Sequence, residues 1–119
     1  MERTVKIGDK EVKFKATGAT MRLYRQKFQR DILKDMDELY KAQNGNDSLS
    51  SDALIMFENI AYIMAKQGDP DIPDEPDEWL DQFDMFSIYE ILPSIIELWG
   101  INTLSISDSK KKANRPTAR

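Results

Sequence analysis

The stretch that decides the fold is Val5-Lys6-Ile7-Gly8-Asp9-Lys10-Glu11-Val12-Lys13-Phe14. Thr4–Ile7 and Val12–Ala16 alternate apolar and polar residues with period 2, and the Gly-Asp-Lys-Glu between them is turn chemistry. A β-hairpin over 4–16 is expected. Pairing Ile7 with Val12 and Val5 with Phe14 puts every apolar side chain on one face and Lys6, Lys13 and Lys15 on the other. Two strands alone are marginal in water, so the apolar face needs a surface to lie on.

The rest of the chain supplies that surface as helices. From about Thr20 to Gln43, Met21, Tyr24, Phe28, Ile32, Met36, Leu39 and Tyr40 recur every three or four residues, which predicts one amphipathic helix over 20–43 ended by Asn44-Gly45. A polar loop follows. Ser50 or Ser51 can cap a second helix over 51–67, with a stripe of Ala53, Met56, Phe57, Ile60, Ala61 and Met64 and Gly68 at its close. The run from Asp69 to Pro76 has three prolines and reads as an extended acidic connector. Pro76 then suits the first position of a short helix over 77–83, with Asp77 and Glu78 at its positive end. A last helix over 85–99 carries Ile88, Ile91, Leu92, Ile95, Leu98 and Trp99, and Pro93 should kink it or shift its start. The expectation is an α+β, mostly α, single domain over 1–104, with a disordered basic tail over 105–119.

The 119 residues include no cysteine and no histidine. Disulfides, thiol chemistry, Ser-His-Asp triads and most zinc sites are thereby excluded. No GxxxxGK[ST] phosphate loop is present. Asp69, Asp71 and Asp74 do not make a calcium loop, since Asp74 stands where the loop needs glycine and Leu80 where it needs glutamate. Chance carboxylate pairs are inevitable among 21 acids, so they do not argue for a hydrolase. The reading is non-enzymatic, with no cofactor and no metal. No apolar run is long enough to span a bilayer, and the N-terminus goes straight into the hairpin without a signal-peptide core, so a cytoplasmic protein is expected.

Charge is divided along the chain. Residues 1–45 carry eleven Lys/Arg and seven acids, 46–108 carry Lys66 alone against fourteen acids, and 109–119 carry five bases and no acid. Such division points to an interaction protein with a basic end and an acidic end, self-association included, or to two faces that meet each other when the chain folds. One candidate interface is the basic set Lys6, Lys13, Lys15, Arg22, Arg25 and Arg30, which would suit a nucleic-acid backbone; the net charge of −4 opposes it. The other is the aromatic-rich segment with Trp79, Phe83, Phe86, Tyr89 and Trp99. Within it Trp79, Leu80, Phe83 and Phe86 stand among acids and are the candidate partner-binding residues.

The arrangement resembles the tail assembly chaperones of long-tailed bacteriophages and related prophages. The strand pair Val5–Phe14, the helix with Leu23-Tyr24-Arg25-Gln26-Lys27-Phe28, and Glu78-Trp79-Leu80-Asp81-Gln82-Phe83 before a helix opened by Met85-Phe86 carry the resemblance, over residues 1 to about 100. It implies a small, mostly helical cytoplasmic protein that binds the tape measure protein, keeps it soluble and helps recruit the tail tube protein. It also implies a longer form made by ribosomal frameshifting, for which the codons of Lys110-Lys111-Lys112 are the place to look. Pro93 and the acidic middle depart from the pattern.

Overall fold

Gly8 decides how the two N-terminal strands meet. In the computed structural model, which describes residues 2–44 and 50–98, Gly8 has φ +64. Asp9 has no positive φ, so Gly8-Asp9 is a two-residue turn of the type that wants glycine first. β1 (Glu2–Ile7) and β2 (Lys10–Lys15) are antiparallel, with Ile7 opposite Lys10, Val5 opposite Val12 and Arg3 opposite Phe14. This corrects the expected pairing of Ile7 with Val12 and Val5 with Phe14, which required a four-residue loop. A shift of two residues keeps every side chain on its face, so alternation could not tell the two registers apart. The faces themselves are as expected: Ile7 and Phe14 are buried, Val5 and Val12 pack against the core, and Lys6 and Lys13 are exposed.

The hairpin lies on α3 (Ser51–Gly68), the central helix of the fold. Ser50 caps it, its hydroxyl accepting from the Ala53 N–H at 3.1 Å. Phe57, Ile60, Ala61, Tyr62, Ile63, Met64 and Ala65 are all buried, far more than a one-sided stripe, because strands and helices cover several of its faces. Gly68 closes the helix as expected and has a packing role as well: a Cβ there would stand 2.1 Å from the Lys13 carbonyl oxygen.

The helix expected over 20–43 is two helices, α1 (Gly18–Phe28) and α2 (Ile32–Asn44). Gln29 ends α1 in the left-handed region, at φ 54, with its N–H on the Arg25 carbonyl. Asp31 starts α2, its carboxylate accepting from the Leu33 N–H at 3.0 Å. The apolar spacing runs through the corner unbroken, so the period concealed it. What holds the corner is polar: buried Asp35 accepts from Tyr24 Oη at 2.7 Å and from Arg30 Nε and Nη2 at 2.7 and 2.8 Å. At its other end α1 begins with a capping box, Thr17 and Thr20 each satisfying the other's backbone. Gln67 ties this box to α3, donating to the Thr17 hydroxyl at 2.8 Å and accepting from that of Thr20.

Pro76 opens α4 (Pro76–Leu80) as expected, but the helix is shorter than 77–83. The helix expected over 85–99 is divided into α5 (Ser87–Glu90) and α6 (92–98) at Ile91. Pro93 falls in the first turn of α6, where its missing N–H costs nothing. It shifts the helix start rather than kinking the middle. Ile88, Ile91, Ile95 and Leu98 close the core beneath the hairpin and α3. The architecture is α+β, one hairpin on six helices, among the described residues. The expected Asn44-Gly45 stop, Trp99 and the tail over 105–119 lie wholly or partly outside them.

Candidate partner-binding surface

The connector between α3 and α4 sets out the surface, and one lysine organises it. Lys66 donates to the Pro70 carbonyl at 2.8 Å, the Ile72 carbonyl at 2.7 Å and the Asp74 carboxylate at 2.8 Å. Three donors of one ammonium thus fold 70–74 back over the end of α3. Tyr62 Oη adds a bond to the Pro73 carbonyl at 2.6 Å, and Lys27 on α1 reaches Glu75 at 3.1 Å. The Lys66 hydrogen bond and charge hold the Asp74 carboxyl below the usual carboxylate range. Tyr62 is pushed up to about 12, first by burial and then by Asp74, Glu75 and Glu78 around it.

This pinned connector delivers α4 onto α3, and it corrects the placement of Trp79. Trp79 is 1% exposed, edge-on to Tyr62 at 5.9 Å and to Phe83 at 5.1 Å between ring centroids. It is core, not a surface anchor. Leu80 and Phe83 are half-buried against that core. Of the four candidates only Phe86 is open, at 71%, and Met85 beside it is 77% exposed. The pair follows Asp84, with Asp81 and Glu90 exposed on either side along the chain. Sequence reasoning passed over Met85, although it neighbours Phe86 in the motif. Between α1, α3 and the connector lies a groove of about 440 Å³ lined by Leu23, Gln26, Lys27, Tyr62, Ile63 and Asp74, but Lys27 there is already paired.

Three members of the basic set stand beside acids. Arg30 is committed to Asp35, Lys13 lies 3.5 Å from Glu2, and Glu11 stands opposite Lys6 on the same face. Among the described residues no group of three acids is arranged to hold a metal, and no helix is long and apolar enough to cross a membrane. Asp69 is used locally, accepting from the Asp71 N–H at 3.0 Å. No known protein family, curated protein or solved structure matches the chain.

Proposed function

We propose that the chain is a non-enzymatic tail assembly chaperone that holds a helical segment of a tape measure protein and assists tail tube assembly in the bacterial cytoplasm. The observation that carries the reading is the Met85-Phe86 pair, two large apolar side chains more than two-thirds exposed next to Asp81, Asp84 and Glu90. Adjacent Met and Phe side chains open to water make a contiguous apolar spot of the kind that a partner covers. The acids favour a partner helix that is apolar on one stripe and basic beside it.

The test is calorimetric titration with helical fragments of a phage tape measure protein. Phe86→Ala weakens binding by about 1 kcal/mol or more, the threshold of an interface anchor, and leaves the melting temperature within a few degrees. Trp79→Ala instead destabilises the fold by about 3–5 kcal/mol, as expected for a buried aromatic. Normal binding by Phe86→Ala would sink the proposed surface. Binding to nucleic acid that falls steeply with salt would favour the basic face instead.

A further inference from the structure

Among the described residues, strand β1 is paired on one side only. The residues flanking a two-residue hairpin turn form a hydrogen-bonded pair, and bonded pairs alternate with non-bonded ones along the ladder. In this register Ile7 with Lys10, Val5 with Val12, and Arg3 with Phe14 are therefore the bonded pairs. The backbone N–H and C=O groups of Glu2, Thr4 and Lys6 point the other way, toward an edge where all three residues are exposed and no third strand is added among the described residues.

The edge of β2 is different. By the same alternation the Lys13 carbonyl points away from β1, and it meets Gly68 so closely that a Cβ there would stand 2.1 Å from the oxygen. The end of α3 thus covers the β2 edge, whereas among the described residues no strand is paired with the outer edge of β1. Open edges are templates for another strand.

We propose that this edge takes a second copy of the same chain, β1 against β1 and antiparallel, about a two-fold axis at Thr4. The charge pattern of the outer face carries the choice of occupant. With Thr4 opposite Thr4 of the second copy, Glu2 faces Lys6 of the second copy, and Lys6 faces its Glu2. Within each hairpin Lys6 already stands opposite Glu11, and Glu2 opposite Lys15. Across the four strands one row therefore reads Glu11, Lys6, Glu2, Lys15, and its symmetry mate reads Lys15, Glu2, Lys6, Glu11. Signs alternate at every step, which favours the pairing. All three edge residues of each copy then exchange backbone hydrogen bonds with their opposites. The other registers do worse. Centring on Arg3 sets Arg3 against itself, centring on Lys6 does the same for Lys6, and centring on Val5 leaves Glu2 opposite the turn glycine. The association is isologous and closes at two copies, because α3 covers the outer edge of each β2.

Sedimentation velocity on the full chain tests this. The wild type is expected to have the mass of two chains at tenths of a millimolar. Glu2→Lys and Lys6→Glu each place like charges in both rows, so each variant alone self-associates at least about tenfold more weakly. An equimolar mixture of the two variants recovers association, since the introduced lysine then faces the introduced glutamate. Thr4→Pro removes the central outward N–H without touching the β1–β2 ladder and gives a folded single chain. Should Thr4→Pro lose its circular dichroism, the charge-exchange mixture decides. A wild type with the mass of one chain, variants that stay dimeric, or a mixture no stronger than its components would overturn the proposal.

Discussion

Asp35 is 1% exposed between α1 and α2, yet it stays ionised because three donors reach its two oxygens. Burial alone would raise its pKa. The hydrogen bonds from Arg30 and Tyr24, with the charge of Arg30, outweigh that and carry the carboxyl below its ordinary range. Tyr24 is pushed up in turn, by burial first and by Asp35 second. A carboxyl whose folded pKa is depressed stabilises the fold fully above its unfolded value, near about 4, and loses that contribution as the pH falls through the folded value. Asp35→Asn should therefore cost about 1.5–3 kcal/mol at neutral pH, the range for hydrogen bonds to a charged group. The gap in urea midpoint between variant and wild type should narrow on acidification to about pH 3. A gap independent of pH would show that Asp35 acts by shape alone. Nothing in the sequence singled out Asp35, because it is one acid among 21 and its partners come from another helix and from the corner. Burial of a charge is a property of the assembled packing.

The elements differ in how far local pattern reveals them. α3 stands over almost the expected residues, because its cap, its long apolar stripe and the prolines that follow it all agree. The hairpin was legible in its faces but not in its register, which the turn decides. The corner between α1 and α2 was not legible, since Gln29, Arg30 and Asp31 include neither glycine nor proline, and helical spacing continues across them. Gln29 adopts φ 54, a conformation that disfavours residues with a Cβ by roughly 1–2 kcal/mol. Replacing it by glycine relieves that strain but adds freedom to the unfolded chain, so Gln29→Gly should stabilise by a net of about 0.5–1 kcal/mol. The urea midpoint measures it. A loss of stability would mean that the Gln29 side chain, which donates to the Gln26 carbonyl at 2.9 Å, contributes more than its backbone costs.

Across the whole molecule, the basic first segment meets the acidic middle at Lys27–Glu75 and Arg3–Glu97, and the acidic middle also folds back on its own lysine. Lys66, alone among the acids of residues 46–108, spends its ammonium on the connector and so brings Trp79 into the core. Trp79 and Phe86 look alike in the sequence, each a large aromatic among acids. The connector's docking separates them, and it depends on contacts across the fold that no local pattern displays. Lys66→Met keeps the length of the stem and removes its three hydrogen bonds. Native-state digestion by a protease that cuts at aspartate should then accelerate at Asp69, Asp71 and Asp74, with a loss of about 1–2 kcal/mol in overall stability. Unchanged digestion would mean that Tyr62 and Lys27 suffice to hold the connector.

The close approach of Gly68 to Lys13 also orders events in time. The hairpin leaves the ribosome before α3, but the backbone it must lie on ends at residue 68. Until α3 has emerged, the two strands have no apolar surface to cover and are too few to persist alone. Synthesis therefore passes through an interval in which Ile7 and Phe14 are displayed to water. The hairpin docks late, because its contacts with α3 join residues far apart in the chain, and such contacts form later than the local ones of a helix.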